Sequence, residues 1–251
     1  MSKALIVGKA AMSGVMAAQL AEAGALAPHG MVGGAEKGLM ATLFQDSTQP
    51  ALDGLGGTWQ VLQNTFKPYP ACQLAHASFD AARLAGQRIR PERIRSVIAH
   101  VNPFALTVAR HWRPTTPLES RFSLNHCIAL GLLGYRAGME DFTESRLNEP
   151  GVMALREQIS GVGDDTVERW SSRLEIVLDD GSRVEEFVPD ALGSLGRPMG
   201  WSDLELKFRT VAQPVFGRAT DTLFDAISRF DQGSSVDVIA ATLSSRPSRF
   251  S

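Results

Sequence analysis

Apolar positions recur along this chain with two periods, and the change from one to the other marks its elements. Residues 9–23, KAAMSGVMAAQLAEA, place Met12, Val15, Met16 and Leu20 at helical spacing, and Gly24 stands where such a helix stops. The small side chains predict a helix packed closely against others. From 27 to 53 glycines mixed with apolar residues read as a loop around a short helix near Lys37 to Phe44, and LDGLGGTW is rich in turn formers. Then comes FKPYPACQLAHASFDAA, from Phe66 to Ala82. Pro68 and Pro70 disfavour helix in the residues before them, so a helix is expected from about Cys72 to Gln87. Its buried positions would include Leu74, Ala75, Phe79, Ala82 and Leu84.

RIRSVIAHVNPF (93–104) alternates through Ile94, Val97 and Val101 and predicts a strand ending near Pro103. SRFSLNHCIALGLLGYRAG carries Leu124, Cys127, Ile128, Leu132 and Leu133, a second buried helix. RLEIVLDDGSRVEEFV is two alternating runs joined at Asp180-Gly181, a hairpin signal. From Arg197 the period is helical again. Ser202 and Glu205 read as a capping box opening a helix that turns Leu204, Phe208 and Val211 inward. Helices at 218–230 and 235–243 follow. The fold class read from these periods is α+β: a mainly helical domain, 1–62 with 198–251, interrupted by a smaller α+β domain at 63–197.

Composition narrows the function. The 251 residues are 44% hydrophobic and 21% charged, which excludes a disordered or fibrous chain. With 25 basic against 27 acidic residues, a net charge of −2 and no basic run, nucleic acid is not an expected partner. Cys72 and Cys127 are the two cysteines; they cannot form a four-thiolate zinc site or hold an iron-sulfur cluster, and no metal or cofactor is expected. Thiol usage of this kind fits a reducing cytoplasm. Lys9, Gln19 and Glu22 argue against a signal peptide, and no apolar run reaches the ~18 residues a membrane span needs.

Taken in order, SKALIVGKAAMSGVMAAQLAEAG, FKPYPACQLAHASFDAA, RFSLNHCIALGLL, LEIVLDDGSRVE and RPMGWSDLELKFRTVAQPVFG resemble the C-terminal half of the MmgE/PrpD family. That resemblance implies a helical domain built from both chain ends, an α+β lid, and a cleft between them. It also implies a metal-independent enzyme without cofactor, often a homodimer, acting on a small polycarboxylate. Dehydration of a citrate-like acid such as 2-methylcitrate, decarboxylation as of cis-aconitate, and epimerisation are all represented in the family. The family's N-terminal half, which carries an aspartate, threonine and histidine motif, has no counterpart here. The chain is therefore expected to be a truncated frame, a degenerate copy, or one piece of a split enzyme needing a partner that supplies that half. Whether it is an enzyme by itself stays open.

Four residues stand out as site candidates. Lys67, in the FKxxP context, matches a family lysine; a cation held ahead of two prolines suits both carboxylate binding and stabilisation of an enolate-like charge. A solvated loop lysine is the plainer alternative. Lys3 occupies the place of another cleft lysine in the family, although Ile6 stands where many relatives have histidine. His76 is suited to proton transfer near neutrality, or else to packing at a helix start. His126, in SLNHC, aligns with a tyrosine that faces the substrate in many relatives. Both cysteines read as small buried hydrophobes, and Asp80 as a helix-surface or buried hydrogen-bonding group.

Overall fold

The alanine-rich segment at the start of the chain folds as one helix, α1 (Ser2–Glu22), which begins well before the expected Lys9. Nothing in Ala4 to Val7 stops it. The close packing expected of this helix is not found: from Leu5 to Glu22 every side chain except Ser13 is at least largely exposed. Its apolar residues occupy most of the helix circumference and form no single stripe. The chain is described here by a computed structural model for residues 2–31, 38, 42, 54, 56–233 and 236–244, with the side chains of 2–4 outside that description. The short helix expected near Lys37 to Phe44 lies outside the described residues. Two units divide the chain, Met1–Trp59 and Gln60–Ser251.

In the second unit, the residues after Pro70 take a 3-10 turn at Gln73–Ala75 before α2 (His76–Gly86) begins. Ala75, Phe79 and Ala82 are buried as expected, but Leu84, five residues on from Phe79 and nearly half a turn round, is exposed. β1 (Ile94–Val101) follows the predicted bounds closely. Pro103 does more than end it: Asn102 accepts the Phe104 N–H at 3.1 Å, and Pro103 opens α3 (Pro103–Val108), a helix start where a missing N–H does no harm. α4 (Pro117–Ser120) is capped by Thr116. α5 (Leu124–Leu132) is buried along its whole length and capped by the Ser123 hydroxyl, which accepts from His126 N at 3.2 Å. α6 (Glu144–Leu147) and α7 (Pro150–Glu157) lead to β2 (Ile159–Gly163).

The predicted hairpin is β3 (Ser172–Leu178) and β4 (Arg183–Val188), turning at Gly181 with φ +82°. The sheet runs β2-β1-β3-β4, with β1 and β2 parallel and the other pairs antiparallel. β3 buries Ser172, Leu174, Ile176 and Leu178 on one face, and that face is covered by α2, which also packs on α5. The two helices approach closely because Gly131 has no side chain: a Cβ there would stand 2.7 Å from Ala82 Cβ and from Phe79 O. Ser78 and Ser172 hydrogen bond across helix and sheet at 2.8 Å, satisfying two fully buried hydroxyls.

After β4, α8 (Trp201–Phe216), α9 (Ala219–Ser228) and α10 (Val236–Ser244) belong to the same unit. The expected capping box is displaced by two residues. Gly200 is the N-cap, and its N–H donates to Asp203 at 3.0 Å, so Ser202 and Glu205 already lie within the helix. Val211 is exposed, against expectation, because it shares a face of α8 with Leu206 and Lys207 that does not enter the core. The opposite contact, Phe208 on Phe224, joins α8 to α9.

Candidate functional site

Lys67 is held by a short extended segment fastened at several points. Phe66 N donates to Gly193 O at 2.9 Å, and Gly193 N to Arg197 O at 2.8 Å. Gly193 has φ +87°, and a Cβ on it would lie 2.0 Å from Phe66 O, so only glycine permits this approach. Two residues past Lys67, Tyr69 donates its hydroxyl to Asp80 Oδ1 at 2.6 Å. Asp80, fully buried on α2, also accepts from Leu192 N at 3.0 Å and from Arg197 Nη1 at 3.3 Å. One carboxylate thus ties the FKPYP segment to both the helix behind it and the loop after β4. The Tyr69 hydroxyl is pushed well above its usual range, first by burial and then by the Asp80 charge, and remains protonated.

The fastened lysine faces a cavity of about 480 Å³. Its walls come from the FKPYP segment (Lys67 to Pro70), the Arg136–Glu140 loop, Leu192 and Met199, and one face of α8. That face is Asp203, Leu206, Lys207, Thr210 and Val211, the i, i+3, i+4, i+7, i+8 positions of a single stripe. Lys67, Arg136 and Lys207 bring positive charge to the cavity; Glu140 and Asp203 are its carboxylates, and Asp203 is engaged by the Gly200 N–H. Met139, Met199, Leu206 and Val211 supply apolar wall. Such a cavity can hold a small polyanion with a short carbon skeleton. Sequence reasoning found only Lys67 among these charges. Lys207 carried a signal in its spacing from Asp203 and Val211, whereas Arg136 is brought in by a loop that no periodicity announces.

That loop is shaped by its own residues. Ala137, buried, takes φ +53°, a conformation that few non-glycine residues adopt. Asp141 accepts the Gly138 N–H at 3.1 Å and the Arg146 Nε at 3.1 Å, and the Arg146 guanidinium stacks 3.8 Å over the Tyr135 ring.

The two histidines lie behind the cavity and do not line it. His76 is buried at the start of α2, and its Nε2 is 3.3 Å from Ala71 O; since the carbonyl can only accept, Nε2 carries the proton. Lys67 Nζ donates to that same carbonyl at 3.2 Å, so the structure brings Lys67 and His76 together on one acceptor. Burial, reinforced by the charges of Lys67 and Lys207, pushes His76 down to about 4 against the weaker effect of its hydrogen bond. His126, fully buried on α5, donates from Nε2 to Asp141 O at 3.2 Å and is likewise pushed down to about 4, chiefly by burial. It fixes the backbone just past the Arg136–Glu140 loop. The side chain of Lys3 lies outside the described residues.

Cys72 and Cys127 are both buried, and burial raises the Cys127 thiol to about 12, which leaves it unreactive as a nucleophile. Among the described residues no three or more His, Cys, Asp or Glu side chains are grouped as a metal site would need. Nor, among those residues, is any helix long and apolar enough to cross a membrane.

No curated protein matches the chain. The family model described as MmgE/PrpD C-terminal domain matches residues 69–230, from Tyr69, two positions after Lys67, through β4, α8 and α9. A match over more than half of the sequence, spanning nearly all the walls of the cavity, shows that this chain belongs to the MmgE/PrpD family.

Proposed function

We propose that the Lys67 cavity binds a small polycarboxylate of the citrate type, in the service of a lyase reaction of the kind known in the MmgE/PrpD family. The observation that carries this reading is the convergence of Lys67, Arg136 and Lys207 on one cavity that also has an apolar wall. Fixed cations bind the carboxylates of the acid. They also hold the negative charge that grows when a proton beside a carboxylate is removed and hydroxide departs to leave as water, or when a carboxylate departs as carbon dioxide. Lys67 is placed for this by its short tether and its hydrogen bond to Ala71 O. His76 and His126, neutral and spent on backbone carbonyls, position Lys67 and the Arg136 loop.

A second reading is favoured by the same placement of the histidines. With both turned away from the cavity, this chain supplies the charge-binding side of a site, and the proton-transfer groups come from an MmgE/PrpD helical domain in a partner chain. The protein is then a binding subunit and not a catalyst by itself. Homodimerisation and a cytoplasmic setting belong to either reading.

The test is to titrate the purified chain with citrate, 2-methylcitrate and cis-aconitate, following heat release and turnover. Binding that is lost in Lys67→Ala and weakened about tenfold in Lys207→Ala supports the site; absence of binding by all three acids, or binding indifferent to both substitutions, rejects it. Turnover by the chain alone selects the first reading, and binding without turnover the second.

A further inference from the structure

A second cavity, of about 340 Å³, lies between the end of α7, β2, α3 and the segment before α4. It shares no residue with the Lys67 cavity. On its apolar side are Leu106, Trp112 and Ile159. The Trp112 indole passes over β2 at Gly161, where a Cβ would stand 2.6 Å from the ring. Asn125 ties the walls together: its Nδ2 donates to Trp112 O at 2.8 Å and to Arg156 O at 3.4 Å, and its Oδ1 accepts from Ser123 Oγ at 2.6 Å. The amide is fully employed, which leaves it a structural tie.

Arg156, in the last turn of α7, lines this cavity while being only 8% exposed. Its Nη1 is cut off from solvent and has no hydrogen-bond partner among the described residues. The neighbouring carboxylate, Glu157, pairs instead with Arg113 at 3.6 Å. A buried guanidinium left this way is costly unless something else bonds it, and burial already lowers its proton affinity. Favourable placement at a helix C-terminus offsets only part of that cost.

We infer that this cavity is a binding site for a small monocarboxylate with an apolar or aromatic body, held through its carboxylate by Arg156 and through its body by Trp112, Leu106 and Ile159. The charge count sets the valence: Arg113 and Arg156 against Glu157 leave one positive charge, which one carboxylate neutralises. Arginine donates two parallel hydrogen bonds to a carboxylate, which would give this guanidinium the acceptor that its Nη1 lacks. A di- or tricarboxylate would meet the Glu157 carboxylate with its surplus charge.

Benzoate is the probe, with benzamide as its uncharged counterpart. Titration calorimetry and thermal shift on the whole chain should show benzoate binding and raising Tm, and benzamide binding at least tenfold more weakly. In Arg156→Met the benzoate response should vanish although the ligand-free protein melts no lower than the wild type, because an unpaired buried charge has been removed. Arg156→Lys, which keeps the charge but loses the planar fork, should bind benzoate several-fold more weakly. Lys67→Ala should bind benzoate like the wild type, which separates this site from the polycarboxylate cavity. No benzoate binding, equal binding of benzoate and benzamide, or undiminished binding by Arg156→Met would each overturn the inference. Should Arg156→Met not fold, the benzamide comparison and Arg156→Lys still decide it.

Discussion

Asp80 is the residue on which the placement of Lys67 depends, although it does not itself line the cavity. Its two oxygens answer a phenol from the FKPYP segment and a backbone N–H and a guanidinium from the loop after β4. Asp80→Asn keeps the shape but removes the charge that pairs with Arg197 and replaces an acceptor by a donor; a loss of about 2–4 kcal/mol in unfolding free energy is expected in denaturant titration. Polycarboxylate affinity should fall with it, since the FKPYP segment is released. His76 and His126 make a different prediction. Their ordinary value is 6.5 and each is pushed down to about 4, so between those pH values the unfolded chain takes up protons that the native protein does not. Stability is complete above pH 6.5 and declines as the pH falls towards 4, by up to about 3 kcal/mol for each histidine. Thermal melts of the wild type and His76→Gln across that range would show it, the variant having the shallower decline.

α2 and α8 show how differently two helices can be read from their residues. The helical spacing of Phe79 and Ala82 disclosed the buried face of α2, because burial there is plain apolar packing. The cavity stripe of α8, from Asp203 to Val211, mixes charge with apolar side chains and so has no hydrophobic period to betray it. For the same reason Val211 was expected in a core and stands instead in the cavity wall. The short helices α3, α4, α6 and α7 were illegible too: they are set by local caps such as Asn102 and Thr116, and are too brief for periodicity to develop. The contact of α2 with α5 depends on Gly131. Gly131→Val should force the pair apart and lower Tm by several degrees or more, while Gly134→Ala, at a position with φ +79° but open space, should cost only the backbone strain of about 1 kcal/mol. Circular-dichroism melts distinguish the two.

Considered as a molecule, the chain is slightly acidic, so its net charge of −2 gives no assistance to the approach of a polyanion. Attraction is confined to the cavity cations. Polycarboxylate affinity should therefore weaken several-fold between roughly 0.05 and 0.5 M salt, where the Debye length falls from about 14 Å to 4 Å, and calorimetric titrations at the two salt concentrations measure this. The α+β class and the hairpin were visible in the order of periods, and Lys67 in its proline context. The rest of the cavity was not, because Lys67, Arg136 and Lys207 lie far apart in sequence and meet only through tertiary contacts. The glycine at 193 gives that separation a practical edge. A shortened chain ending just after β4 would retain the whole FKPYP sequence and Asp80, yet would have lost the Gly193 carbonyl, the Leu192 amide and Arg197 that anchor them. The motif by which the family is noticed is thus inert by itself: it becomes a site only when a loop more than a hundred residues downstream closes over its backbone.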